Sequence, residues 1–161
     1  MSVTHNIVAA YKGPRPVMQG LLSGPENEGR NLAMLMGACA VLFIAQWPRL
    51  AREAHTQEVQ LEPLLGGALL GLVFIAPLGF YLVASLSHFL LGVLGRPCAG
   101  HDARLALFWA LLAASPLALL RGLIAGFVGP GAGLILVDII WVAVFCWFWV
   151  SNVIAIKDAA T

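Results

Sequence analysis

Charge is what this sequence has least of. Of its 161 residues, 11% are charged and 60% are hydrophobic, and the mean hydropathy is +0.89. A soluble domain carries about 25% charge. So few charges cannot cover a water-facing surface, which excludes a soluble globule. The same hydrophobicity excludes intrinsic disorder. A net charge of +1 leaves no basic surface for nucleic acid. The three cysteines, Cys39, Cys98 and Cys146, are odd in number and scattered, so there is no disulfide framework. They read as packing thiols. Catalytic constellations are missing too: the sequence holds no H-E-x-x-H, no G-x-S-x-G, no phosphate loop and no dinucleotide fingerprint. Ser23 has no base within sequence reach. The expectation is a protein that is not an enzyme and carries no cofactor or metal.

What is there is apolar run. No Asp, Glu, Lys or Arg falls between Arg30 and Arg49, or between Glu62 and Arg96. Beyond Arg104, only Arg121, Asp138 and Lys157 interrupt the chain up to residue 157. A membrane span needs about 20 mostly apolar residues. The runs predict four spans, at 31–47, 64–94, 105–127 and 132–156, behind an N-terminal segment over 1–30. The fold class is therefore an all-α integral membrane bundle. The second run is long, about 46 Å as helix, and reads as one helix kinked at Pro77. Pro116 is expected to kink the third span in the same way. Such breaks are tolerated in lipid when neighbours satisfy the freed carbonyl. Four glycines and a proline over 126–133 predict a tight turn between the third and fourth spans. The first apolar run starts only at residue 31 and lacks a small-residue cleavage site, so it is expected to remain a helix. The 48–63 loop is left open between a surface helix and a partner-binding segment.

Four spans put both termini on one side. That side carries Lys12, Arg15, Arg30, Arg96, Arg104 and Lys157, whereas the other carries Arg49 and Arg52. The bias predicts cytoplasmic termini in a bacterial inner membrane. Trp47, Trp147 and Trp149 fall at span edges, where interfacial tryptophans belong. Within the N-terminal segment, Val3, Ile7, Ala10 and Tyr11 share one helical face, and Val17, Met18, Leu21 and Leu22 share another. Two short amphipathic helices on the inner leaflet are expected, with a plain tail as the alternative.

Arg121 and Asp138 are each costly alone in hydrocarbon. They lie about equally far from the turn centre, so a helical hairpin sets them at the same depth, and an ion pair is expected. A proton or ion pathway through Asp138, or outward snorkelling of Arg121, are the alternatives. His88 reads as an intramembrane polar group bonded to a helix neighbour rather than a haem ligand, since no second histidine lies in a span. Cys98 and His101 form a C-x-x-H, two ligands where zinc wants four; a polar turn is the simpler account. Gly67 with Gly71, and Gly122 with Gly126, form two G-x-x-x-G pairs that let helices approach closely. Spacing alone does not say whether they serve the bundle or a partner. Phe145, Trp147, Phe148 and Trp149 read as aromatics distributed around the fourth helix, facing lipid or a partner on several sides.

One further pattern is a resemblance. Lys12-Gly13-Pro14-Arg15-Pro16-Val17-Met18, the Leu86-Ser87-His88-Phe89-Leu90-Leu91 ending of the second span, Ala113-Ala114-Ser115-Pro116-Leu117 and a Trp-rich last span together resemble bacterial proteins of the Yip1 domain family. Family members usually have five spans, where this chain has four runs. Eukaryotic relatives act in vesicle traffic and bind small GTPases, and their Tyr-Gly-Pro motif is loosely echoed by Tyr11-Lys12-Gly13-Pro14. The resemblance implies a membrane protein without catalytic residues. The reading is a scaffold or accessory subunit that meets the lipid bilayer and other membrane subunits, or itself. A small transporter or channel component using Arg121 and Asp138 is the alternative.

Overall fold

The structure is a computed structural model, and it describes residues 3–93 and 99–159. Among these it is all helical. Two short helices come first, α1 (Val3–Lys12) and α2 (Pro14–Leu22). Next are α3 (Glu28–Gln57) and α4 (Leu61–Leu69). A π-helical segment (Leu70–Ile75) joins α4 to α5 (Ala76–Val93). Last are α6 (Gly100–Phe127) and α7 (Ala132–Ala159). Four stretches are long and apolar enough to cross a membrane: Glu28–Gln57, Leu61–Val93, Gly100–Phe127 and Ala132–Asp158. The chain is thus a multi-pass helical membrane bundle.

The helix starts follow local chemistry. Asn27 caps α3, its Oδ1 accepting from Arg30 N at 3.2 Å. Pro14 opens α2, where a missing N–H costs nothing. The first span is longer than the apolar run alone suggests. Its helix passes through Pro48 and ends only at Gln57, with Glu58 in the left-handed conformation at φ 54°. Most of the 48–63 loop is therefore helix. In the second span, Pro77 donates no backbone bond, and the turns before it widen: Ala76 N–H donates to Gly71 O, a π-type bond. The helix remains continuous from Leu61 to Val93; Leu94 lies outside the described residues.

α6 is the central element. Every residue from Leu105 to Ser115 is buried, which requires neighbours on all sides. α3 runs parallel to it, since Glu28 meets Arg104, Gly37 meets Leu112, and Ala45 meets Gly122. α7 runs antiparallel, with Asn152 Nδ2 donating to Ala106 O at 3.0 Å. α5 meets α6 through Tyr81 and Phe108, edge to face at 5.0 Å. α1 and α2 close the remaining side near the termini, burying Ala10 and Met18 completely. The two expected N-terminal helices form, and they dock on α6 and α7. Along α7, Trp141, Phe145 and Trp149 stack in sequence, at 5.9 and 6.2 Å. The i, i+4 spacing lays these three on one face. Phe148 is buried against Tyr11, leaving Trp147 as the outward aromatic of that cluster, 46% exposed. Three of the α7 aromatics thus share one face, with Phe148 buried beside it, while Trp147 points away from it.

Candidate functional site

The α6–α7 hairpin brings Arg121 and Asp138 together. Each lies six residues from the hairpin end of its helix, about 9 Å along the axis. Arg121 Nε donates to Asp138 Oδ1, and Nη2 lies 3.5 Å from Oδ2. The side chains are 31% and 38% exposed. The pair lines a cavity of about 450 Å³ between α3, the π-helical segment, α6 and α7. Leu42, Ala45 and Gln46 form its α3 wall, and Leu72 projects from the π-helical segment. Ala118 comes from α6, Trp141 and Val142 from α7. Among the described residues that line it, Asp138 is the one carboxylate and there is no histidine.

Pro116 governs the middle of α6. A proline four residues on deprives the Leu112 carbonyl of its helical donor. Ser115 Oγ supplies one instead, at 2.7 Å. The next two carbonyls each accept a further bond from another helix. Tyr11 OH donates to Ala113 O at 3.0 Å, and Trp141 Nε1 donates to Ala114 O at 3.2 Å. Three consecutive carbonyls thus tie α1, α6 and α7 at one point. In hydrocarbon an unmet carbonyl costs several kcal/mol, about 2–7 by transfer, so the Ser115 hydroxyl is what lets the proline sit here. Burial pushes the Tyr11 phenol above its ordinary pKa.

The two G-x-x-x-G pairs separate cleanly. A Cβ at Gly122 would overlap the Ala45 carbonyl, and one at Gly126 would overlap Pro48. This pair is the seam between α3 and α6. A Cβ at Gly67 or Gly71 meets nothing within 4 Å, and the same holds for Gly66. That pair faces outward from the second span. At the hairpin end Arg52 reaches from α3 to the end of α6. Its Nη1 donates to Gly126 O at 3.2 Å and Phe127 O at 3.3 Å, capping terminal carbonyls at the negative end of the helix dipole. Arg30 Nη2 does the same for α2, donating to Leu21 O at 3.1 Å.

The other polar residues stand apart. His88 is exposed on α5. His101 is buried at the start of α6, its Nδ1 3.5 Å from Asp102 Oδ1, while Cys98 lies outside the described residues. Among the described residues no three His, Cys, Asp or Glu side chains converge on a metal position. Sequence reasoning missed Tyr11, Ser115, Trp141, Arg52 and Gln46 as structural or lining groups. Only Ser115 carried a local signal, a hydroxyl next to a proline; the rest depend on which helices meet. Comparison of the chain with protein-family models, with curated proteins and with solved structures found no match.

Proposed function

We propose that this chain is a non-enzymatic scaffold or accessory subunit of a bacterial inner membrane, with both termini in the cytoplasm. Its second span would receive a transmembrane helix of another subunit. The observation that carries the reading is the open Gly67–Gly71 face. The Gly122–Gly126 pair has the same spacing and is filled by α3, so this chain already uses such pairs for close helix contact. The flanking surface is apolar and exposed, with Leu69, Leu70, Phe74 and Ile75 each more than 40% accessible. The pattern resemblance to the Yip1 domain family agrees with a protein of this kind. Lysine and arginine bias supports the orientation.

The test is extraction from the native membrane in mild detergent, followed by native mass spectrometry. A stoichiometric complex is expected. The double variant Gly67→Leu/Gly71→Leu is expected to lose the partner while its thermal unfolding stays near wild type. A monomer from the native membrane, or a partner kept by the double variant, overturns the reading.

A further inference from the structure

We infer that the cavity beside Arg121 and Asp138 is a binding site for the headgroup region of a zwitterionic phospholipid carrying an ammonium, such as phosphatidylethanolamine. The inference does not depend on which protein meets the second span.

The volume of about 450 Å³ falls within the range of small-ligand pockets, about 300–1,000 Å³. That accommodates a headgroup and the start of a chain rather than a whole lipid. The lining is divided as an amphiphile requires. Gln46, Arg121 and Asp138 are polar; Leu42, Leu72 and Val142 are apolar. The depth also matches. Ala45 and Pro48 pack at Gly122 and Gly126, so Trp47 between them marks a level just beyond Arg121. Trp47 is 51% exposed, in the manner of an interfacial tryptophan. The ion pair therefore lies about one turn below the aromatic belt, where headgroups give way to acyl chains.

Charge selects the ligand. Asp138 occupies Nε and Nη2 of Arg121, which leaves the two Nη1 N–H groups as donors for a phosphate oxygen. Asp138 repels a bare anion and accepts from an ammonium. A lone arginine would favour an anionic lipid; an arginine with its carboxylate beside it favours a ligand carrying both signs. The wall is set in advance. Trp141 is held by its bond to Ala114 O and its stack on Phe145, so it cannot swing in to fill the space without losing both. Ala45 and Ala118, small residues at the contact, leave the hollow.

The full chain is reconstituted into nanodiscs of phosphatidylethanolamine mixed equally with phosphatidylglycerol, released in detergent, and weighed by native mass spectrometry. One retained phosphatidylethanolamine per chain is expected, enriched about tenfold over phosphatidylglycerol, the worth of one charge-assisted hydrogen bond. Val142→Trp fills the cavity from a position already 49% exposed. It is expected to abolish the enrichment with unfolding in detergent unchanged. Equal retention of the two lipids, retention of neither, or enrichment surviving in folded Val142→Trp overturns the inference. The first two outcomes are read on the wild-type chain and need no variant.

Discussion

Gly122 and Gly126 are sealed against α3, whereas Gly67 and Gly71 look outward from the second span. The spacing is identical and the surroundings are opposite. α6 is wrapped by α3, α5, α7 and α1, so a small residue on it has a neighbour to admit. The outer half of the second span touches α3 and little else. A small-residue pair is thus a capacity for close approach, and the number of helices around it decides whether the chain itself uses it.

Substitution turns that contrast into numbers. The largest effect is expected at the sealed pair. Gly122→Leu drives a side chain into the Ala45 backbone, which rigid main chain cannot accommodate. It should cost at least about 3 kcal/mol, the upper end of overpacking, read as a lower thermal midpoint in detergent or no folded protein. Next comes the ion pair. Arg121→Leu strands Asp138, at a cost of about 2 kcal/mol, reduced from the fully buried case because both groups are partly exposed. The double variant Arg121→Leu/Asp138→Leu should recover most of that loss in the same assay. Recovery would mark a structural pair, whereas intact folding with altered lipid retention would place its value at the cavity.

Tyr11→Phe is smaller, about 1 kcal/mol for one lost hydrogen bond. Its pH signature separates it from simple packing loss. The folded phenol titrates above its ordinary value of 10.0 because burial disfavours the phenolate. The stabilisation is therefore full below the unfolded pKa and is lost as pH rises through the folded one. Unfolding followed across pH 8–11 should steepen at the alkaline end in the wild type, and less so in Tyr11→Phe. The smallest effect belongs to the open pair and has the opposite sign. Gly71→Ala should stabilise by about 0.5–1 kcal/mol through helix propensity, since its Cβ meets nothing. A destabilised Gly71→Ala would mean that the open face is occupied within the chain.

Much of this architecture was legible in the residues. Charge-free runs located the four spans, because a membrane penalises each charge severely. The Arg121–Asp138 meeting followed from equal distances to a glycine-rich turn, a purely local construction. Other features escaped because they depend on partners remote in sequence. Pro48 read as the end of the first span. Its ring instead lies against Gly126, and the helix goes on to Gln57. The amphipathic faces of α1 and α2 predicted a resting place on lipid, and helix formation followed the pattern. That they cover α6 and α7 could not be read from their own residues, since an apolar face does not say what it covers. The cavity is a product of what fails to meet, α7 and the π-helical segment, and no periodicity encodes a gap.

The three-carbonyl junction at Pro116 also imposes an order in time. Tyr11 and the carbonyl it binds are 102 residues apart, an interval the ribosome covers in about 5–20 s. Trp141 leaves the ribosome later still. Tyr11 of α1 must therefore wait for its partner carbonyl while three spans are made. The exposed Val3 and Val8 of α1 suit it to shelter at the bilayer surface until the proline-broken helix arrives. The bond that closes this junction thus joins α1 to a helix made about a hundred residues after it.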